Sequence, residues 1–342
     1  MPEWRKWRTR REGLLRGRFV SPFSPAALGI YSDDPWVPDA SHLVVCLENL
    51  SPTQVASLLR PEAVLRSRNA AVAVIAPLSF VDGLAHIGLT LRERLTTPGV
   101  WSHPKPKLIL ATSHCSTSGQ FAWELSIKSG VPFVIVQHGV VTPFAPPLPE
   151  GCHLFAWTPE DAEFWVSGRT DVMTTVVGSQ IIWDAGVSQC KVSQCKKGEP
   201  EGPICFLGQL HGPELSRSTT IRTVAALARA GPVVYRPHPG ETDLVSRLIH
   251  RRWQHQGIPI EPPTSRLGEK SAAVAGIFST GILEAAASGR AAFGFCARPP
   301  SWLPEFWDRY KIKQFGTDES TRVEIPAREP ASVISETAEV LA

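Results

Sequence analysis

The chain alternates short, mainly apolar runs with longer stretches in which apolar residues recur every three or four positions. In the first half, the apolar runs cover residues 42–47, 71–76, 107–111, 131–136 and 154–157, and residues 174–177 close the domain. Helix-like stretches separate them near residues 53–68, 83–95, 118–129 and 160–168. Strands that are apolar throughout and alternate with helices are typical of a parallel sheet covered on both faces. The pattern predicts an α/β domain.

The same alternation begins again after residue 203. Predicted strands cover residues 204–207, 233–235, 258–260, 274–278 and 291–295, and predicted helices cover 216–230, 242–256, 282–288 and 331–341. A chain of 342 residues is longer than one core usually supports. We therefore expect two doubly wound Rossmann-like domains, with the carboxyl ends of their strands facing a central cleft.

Composition divides the chain into four predicted segments: a basic N-terminal tail (1–25), an N-terminal domain (26–186), a linker (187–202) and a C-terminal domain (203–342). The linker prediction rests on a duplication, since residues 187–191 are repeated at once as 192–196 and a Gly/Pro-rich stretch follows. A polar linker tolerates such an insertion.

The net charge is only +3, but the basic residues are concentrated near the start. Trp4 and Trp7 interleave with arginines in residues 4–18, a mixture that suits an anionic membrane surface or a solvated tail. The basic excess does not recur downstream, which argues against nucleic acid as a partner. No apolar run approaches the ~20 residues that span a bilayer, and no signal peptide is evident. We expect a cytoplasmic protein, and a tail that contacts an anionic surface rather than solvent would attach it peripherally to the inner face of the membrane.

The seven cysteines lie at positions 46, 115, 152, 190, 195, 205 and 296. Their number is odd and their spacing does not match a metal site, so the sequence predicts reduced, mostly buried thiols.

Polar residues follow two predicted strands of the second domain. The strand 233–235 runs into Arg236 and His238, and the strand 274–278 runs into Ser279, Thr280 and Gly281, where a helix begins. Cationic side chains and the start of a helix favour an anion, so this pair of strand ends predicts a site for a phosphate ester.

Three further residues of this domain belong to the predicted site. Gly208 and Gln209 follow the strand 204–207 and would approach a phosphate through backbone N–H groups. Glu284 lies one turn into the helix and would reach ribose hydroxyls, unless it only interacts with the helix dipole.

Two polar stretches of the first domain follow strands. His138, in the Gln-His-Gly sequence after the strand 131–136, is a candidate general base or hydrogen-bond donor, or else a histidine bonded to its own loop. The hydroxyl-rich stretch 113–119 either caps a helix or lines the acceptor side of a site.

Taken together, four motifs carry a family resemblance. They are Gln-His-Gly at 137–139, Val-Val-Gly-Ser at 176–179 with Asp184, Tyr-Arg-Pro-His-Pro at 235–239, and Ser-Thr-Gly-Ile-Leu-Glu-Ala-Ala-Ala-Ser-Gly at 279–289. In this order they resemble the two-domain GT-B glycosyltransferases, most of all the branch of bacterial polysialyltransferases, capsule polysaccharide transferases and teichoic-acid glycerophosphotransferases. The resemblance covers roughly residues 40–300.

The resemblance implies donor binding in the C-terminal domain. His238 would contact the phosphate or base of the nucleotide, and Ser279 and Thr280 would contact its phosphate. The donor would be a CMP-, CDP- or UDP-linked sugar or polyol, and the acceptor a capsule or cell-envelope glycan or a polyol phosphate.

The chain departs from that pattern on the acceptor side. Those sialyltransferases carry an acidic pair followed by glycine, whereas this chain has only Asp33-Asp34-Pro35 and Asp82-Gly83. The candidates for the base are therefore His138, Asp82 and Asp34, in that order. No Asp-x-Asp signature is present, so we expect neither a metal nor another cofactor.

Two other functions remain open at this point. One is a UDP-N-acetylglucosamine 2-epimerase-like enzyme, against which the scarcity of Asp and Glu in the strand-end loops argues. The other is a non-catalytic nucleotide-sugar-binding protein, which the missing acidic pair keeps open.

Overall fold

The computed structural model describes residues 28–33, 37–95, 101–192, 202–209, 214–262, 267 and 271–342. Its strands are β1 Leu28–Ser32, β2 Leu43–Cys46, β3 Val72–Pro77, β4 Thr90–Leu95, β5 Leu108–Ala111, β6 Phe133–Val136, β7 His153–Ala156, β8 Met173–Val176, β9 Ile204–Leu207, β10 Val233–Arg236, β11 Ala273–Gly276 and β12 Ala291–Gly294. They form one sheet of eight strands and one of four.

The described helices are α1 Pro52–Gln54, α2 Arg60–Ser67, α3 Val81–Ala85, α4 Thr117–Ser129, α5 Pro159–Val166, α6 Gln180–Val192, α7 Arg217–Ala230, α8 Leu244–His255, α9 Thr280–Ala287, α10 Leu303–Arg309 and α11 Pro330–Leu341. A π-helical turn, Val55–Leu59, joins α1 to α2, and a 3₁₀ turn, Leu78–Phe80, precedes α3.

The first sheet has the order β4-β1-β3-β2-β5-β6-β7-β8. The six strands from β3 to β8 in this order pair in parallel, as predicted. At the other edge, β1 pairs antiparallel with both β3 and β4. The sequence prediction of a wholly parallel sheet is therefore wrong at this edge.

Residues 83–95 are not one helix, which corrects a second expectation. The helix α3 ends at Ala85, and residues Thr90–Leu95 form the edge strand β4. Its central side chains, among them Arg92 and Arg94, are partly solvated, because an edge strand with one neighbour is only partly covered. This polar pattern resembled a surface helix in the sequence.

Alternate residues of the parallel strands fill two cores, one on each face of the first sheet. Val44 and Ile75 belong to the core that includes Phe121 of α4. Val45 belongs to the core that includes Ile334 of α11. Both faces of the central strands β2, β3, β5 and β6 are buried, which explains why these strands are apolar at nearly every position.

The second sheet has the order β10-β9-β11-β12 and is parallel throughout. The predicted strand 258–260 is reduced to a single bridge between Tyr235 and Ile260. The predicted fold class, α/β with two doubly wound Rossmann-like domains, is confirmed.

The chain contacts divide the protein into two compact units. The first contains the described residues up to Val141 together with Ala145–Ile181 and Pro326–Ala342, and the second contains Thr142–Phe144 and Ile182–Ile325. Residues 326–342 belong to the first unit and not, as predicted, to the C-terminal domain. The reason is that α11 buries Ile334 and Ala338 in the core of the first unit.

The predicted linker also differs in its first part. Residues 187–192 continue α6, which runs to Val192, instead of forming an irregular connection. The rest of the linker between 193 and 201, and the predicted tail 1–25, lie outside the described residues.

We expect Ile334→Ala to destabilise the first unit by about 3 kcal/mol, because it removes a side chain that is 2% exposed and leaves a cavity. Urea denaturation of the full chain would measure the loss of unfolding free energy. Val340→Ala on the same helix is the control, since Val340 is 86% exposed and its truncation should change stability by less than about 0.5 kcal/mol. Equal effects of the two substitutions would contradict the assignment of α11 to this core.

Candidate functional site

The order in which successive strands are placed in the first sheet reverses at β2. The strand β3 lies on one side of β2 and β5 on the other, so the connections leave the sheet in opposite directions at this point. Ligands of open α/β sheets bind at such a switch point, outside the carboxyl ends of the strands. The loops that follow β2 and β5 therefore lie where a ligand site is expected.

A buried glutamine holds these two loops together. The Oε1 atom of Gln54 accepts hydrogen bonds from the backbone N–H groups of Glu48 and Asn49, each at 3.1 Å. Its Nε2 atom donates to Oγ1 of Thr112 at 3.0 Å. The last residue of α1 thereby fixes Glu48, just after β2, beside Thr112, just after β5.

A cavity of about 250 Å³ opens at this edge. This is well above the roughly 15 Å³ that one water molecule requires, so the cavity admits a small organic ligand or part of one. It is lined by Glu48, Thr112, Ser113, His114, Ile135, His138, Gly139, Val140, Val141, Ala145, Pro146, Pro147, Leu148, Pro149 and Trp165. A mainly apolar wall with a few polar groups is the usual composition of a ligand pocket.

Glu48 is the functional candidate that the sequence analysis missed. Its Oε1 atom is buried and has no hydrogen-bond partner among the described residues. Burial raises the pKa of Glu48 above its ordinary value. Hydrogen bonds with the side chains of Ser116, Thr112 and Gln54 oppose this rise only in part. A carboxylate in this environment is a stronger base than an exposed one.

His138 lines the same cavity. Its Nδ1 atom is buried and bonds to no described residue. This nitrogen therefore does not form the bond to its own loop that the alternative prediction required. Burial lowers the pKa of His138 to about 4, which keeps the ring neutral at pH 7.

Gln137, next to His138, has a structural role. Its Nε2 atom donates to the carbonyl of Gly139 at 3.0 Å and to Oδ2 of Asp161 at 2.7 Å, and its Oε1 atom accepts from the backbone of Trp157 at 2.8 Å. These bonds fix the loop that carries His138.

The hydroxyl-rich stretch 113–119 divides between the two predicted roles. Ser116 is the N-cap of α4 and accepts a hydrogen bond from the backbone of Gly119 at 3.0 Å. Thr112, Ser113 and His114 line the cavity instead. Burial lowers the pKa of His114, and the charge of Arg169 adds to this shift.

The other two base candidates are not in this cavity. Asp82 is exposed in the first turn of α3 and does not line it. Asp34 lies outside the described residues. The structure therefore brings His138 together with Glu48, and not with Asp82.

The second sheet has its own switch point between β9 and β11, where the predicted phosphate site lies. Gln209, which follows β9, is buried and its Oε1 atom accepts a hydrogen bond from the backbone of Phe278 at 3.2 Å. This bond joins the ends of the two strands and holds Ser279 at the edge. The side chain of Gln209 is thus a structural link.

Gly208 is needed for a reason other than the predicted one. Its N–H donates to the carbonyl of Arg236 at 2.7 Å, so it is not directed at a phosphate. A Cβ atom at Gly208 would lie 2.3 Å from Oε1 of Glu241 and 2.5 Å from the hydroxyl of Tyr235. The glycine makes room for this buried pair, in which the Tyr235 hydroxyl lies 3.0 Å from both carboxylate oxygens of Glu241.

Arg236 and His238 already have partners within the second unit. Arg236 forms an ion pair with Glu261 at 3.2 Å, so a phosphate would have to share or displace this carboxylate. The Nδ1 atom of His238 accepts a hydrogen bond from the backbone of Gly240 at 3.0 Å. Because burial lowers the pKa of His238, the neutral ring carries its hydrogen on Nε2, which can donate to a ligand.

Ser279, Thr280 and Gly281 lie at the start of α9, as predicted. Ser279 is the N-cap and its Oγ atom accepts from the backbone of Gly281 at 3.2 Å. A Cβ atom at Gly281 would lie 2.8 Å from Cδ1 of Leu207, so this glycine lets the helix approach the end of β9. Burial raises the pKa of Glu284, and the charge of Arg236 opposes this shift.

The described ranges contain neither a metal-binding cluster nor a membrane-spanning helix. No group of three or more His, Cys, Asp or Glu side chains there is arranged to hold a metal ion. None of the described helices combines the length and the hydrophobicity needed to cross a bilayer. The absence of a cofactor stays a prediction.

No protein-family model matches the chain, and no curated protein sequence matches it significantly. Among solved structures, it is similar to Anabaena HepE in complex with UDP and glucose (13% identity, 75% of this chain and 80% of the other, TM-score 0.42). It is also similar to a mutant O-GlcNAc transferase of Thermobaculum terrenum (13%, 98% and 67%, TM-score 0.41) and to the glycotransferase of kitacinnamycin (13%, 87% and 90%, TM-score 0.42). At this level of likeness no function follows for this chain.

We expect Glu48→Gln to raise the thermal unfolding midpoint, because it keeps the shape of the side chain and removes a buried charge. The raised pKa means that the folded protein binds this proton more tightly than the unfolded chain does. The destabilisation of the folded protein by the Glu48 charge is therefore absent below the unfolded pKa of about 4.5 and complete above the folded pKa. The stabilisation by Gln should be larger at pH 8 than at pH 4.

The exposed Glu150 supplies the control, and Glu150→Gln should change the midpoint little at either pH. A Glu48→Gln protein that is less stable than the wild type at pH 8 would show that the carboxylate is fully paired and would contradict the assignment.

Gly208→Ala should destabilise the second unit by about 2 kcal/mol, the usual cost of overpacking a buried site. Gly231→Ala is the matched control, since a Cβ atom there would meet nothing within 4 Å. Urea denaturation of both variants gives the comparison. If Gly208→Ala were as stable as Gly231→Ala, the contact with Glu241 and Tyr235 would not be the reason for the glycine.

Proposed function

We propose that the protein is a metal-independent glycosyltransferase or polyol-phosphate transferase that uses a nucleotide-activated donor. The observation that carries the proposal is the cavity at the switch point of the first sheet, where Glu48 and His138 each have a buried polar atom without a described partner. Such atoms cost roughly 1–3 kcal/mol when nothing bonds to them, so they are kept where a ligand supplies the bond.

A hydroxyl group of the acceptor fits this pair. Glu48 would accept the hydroxyl proton, because burial has raised the basicity of its carboxylate. His138, neutral at pH 7, would form a hydrogen bond to the same oxygen or its neighbour. The prolines 146, 147 and 149 and Trp165 offer an apolar wall for the C–H face of a sugar or polyol.

The transfer step then balances without a further reactant. The acceptor O–H bond breaks as its proton passes to Glu48, and the oxygen forms a bond to the anomeric carbon of the donor sugar or, for a polyol-phosphate donor, to the transferred phosphorus. The bond from that atom to the nucleotide phosphate breaks, and the nucleotide leaves with the electron pair.

The second unit supplies the donor side of the proposal. The start of α9 at Ser279 and Thr280 would face the leaving phosphate, and Nε2 of His238 would donate to one of its oxygens. Arg236 would add positive charge while it stays paired to Glu261. A CMP-, CDP- or UDP-linked donor and an envelope or capsule acceptor remain the proposed substrates.

An epimerase receives less support from the site. Epimerisation by elimination needs several carboxylates around the sugar ring, whereas Glu48 is the single carboxylate among the described residues that line the cavity. A non-catalytic nucleotide-sugar-binding protein would bind nucleotide and turn over no acceptor.

Calorimetry with CMP, CDP, UDP and GDP, with and without EDTA, tests the donor side. We expect binding of a cytidine or uridine nucleotide that EDTA does not change. No binding to any of the four would overturn the proposal. Release of nucleotide from a bound donor only when a glycan or polyol-phosphate acceptor is added would separate a transferase from an epimerase.

His238→Ala should weaken binding of the preferred nucleotide by more than about 1 kcal/mol, the scale of a lost bond to a charged group. His255→Ala at the exposed end of α8 is the control and should bind as the wild type does. Unchanged affinity in a folded His238→Ala protein would remove this residue from the site. Glu48→Gln should keep nucleotide affinity and lose transfer.

A further inference from the structure

Helix α8 carries three aliphatic side chains that face solvent. Leu244 is 64% exposed, Val245 50% and Leu248 54%. Single exposed apolar residues are ordinary on protein surfaces, but three on a helix of 12 residues form a patch. A patch of this kind marks a surface that another molecule covers.

Arginines share the same side of this helix. Arg247, Arg251 and Arg252 are exposed, and at about 100° per residue they fall with the three aliphatic residues in an arc of about 160°. Residues 244–260 contain no Asp or Glu. We call these six residues, Leu244, Val245, Arg247, Leu248, Arg251 and Arg252, the outer face of α8.

The three guanidinium groups of the outer face have no carboxylate partner in the part of the chain that the structure describes. Six other arginines, at positions 66, 68, 169, 217, 236 and 328, do form ion pairs with carboxylates. The outer face therefore keeps its positive charge available for an external anion.

The opposite side of α8 is fixed by contacts with the rest of the second unit. The ring of Trp253 packs against Tyr235 with centroids 4.4 Å apart, and Nη1 of Arg217 donates to Oγ of Ser246 at 2.7 Å. His250 lies 3.0 Å from Glu241. The helix cannot rotate to bury its leucines without losing these contacts, so their exposure is built into the fold.

We propose that the outer face of α8 binds the surface of a membrane that contains anionic lipids. Helices that mix arginines with aliphatic residues lie in the interface plane, where the aliphatic side chains reach the acyl boundary and the guanidinium groups bond to lipid phosphates. The unpaired positive charge and the absence of acidic residues from positions 244–260 match an anionic surface. Leu and Val are under-represented among the residues that dominate protein–protein binding, which favours lipid over an acidic protein.

Co-sedimentation of the full-length protein with vesicles tests the proposal. The vesicles contain phosphatidylcholine with about one third phosphatidylglycerol, and the reference vesicles contain phosphatidylcholine alone. We expect binding to the anionic vesicles that falls as salt is added. The double substitutions Leu244→Ser/Leu248→Ser and Arg251→Gln/Arg252→Gln should each weaken binding about tenfold or more.

Two matched controls exist in the same chain. Ile127→Ser removes a side chain of α4 that is 62% exposed, and Arg229→Gln removes an exposed arginine of α7. Both should bind vesicles as the wild type does. Circular dichroism would confirm that all variants are folded, and the assay is independent of any nucleotide.

Three results would overturn the proposal. One is a wild-type protein that does not bind anionic vesicles or binds both kinds equally. Another is unchanged binding of both double variants, which would place the contact elsewhere, for example in residues 4–18. The third is self-association without vesicles that Leu244→Ser/Leu248→Ser abolishes, which would assign the outer face to a second copy of the chain.

Discussion

Backbone N–H groups in the loops at the carboxyl ends of parallel strands need partners in places that water reaches poorly, and buried side chains supply these partners in both units. Gln54 does so after β2, Gln137 between β6 and β7, and Gln209 between β9 and β11. Glu241 accepts from the backbone of His238 after β10. The candidate site residues are attached to loops that these four side chains fix, so the geometry of both strand edges depends on them.

Burial decided which parts of the sequence predicted the structure correctly. Strands buried on two faces are apolar at every position, and the sequence predicted them well. The sequence analysis missed both strands at the antiparallel edge, for different reasons. Strand β1 adjoins the basic tail, and β4 contains Arg92, Glu93 and Arg94, a polar pattern that also suits a helix. The place of α11 was unpredictable, because it depends on a contact across nearly the whole chain.

The site was predictable only where a residue follows an apolar strand directly and its type suggests chemistry. His138 and Ser279 met this condition, and the structure places both at strand ends. Glu48 also follows a strand, but a single acid in a polar loop gives no sign of burial in the sequence. Its position depends on the hydrogen bonds of Gln54, which only the structure shows. The partner of Arg236 was hidden in the same way, because Glu261 is 25 residues away in sequence.

The interruption of the first unit by the second has a consequence for how the protein is made. The strands of the first sheet leave the ribosome long before α11, which completes one of its two cores. Until residues 330–341 have been synthesised, the surface that α11 covers stays open, whereas all the described strands and helices of the second unit after α6 precede α11 in the chain. The first unit can therefore complete this core only after the second unit has been synthesised, unlike the usual case in which an N-terminal domain is complete before the next one is made.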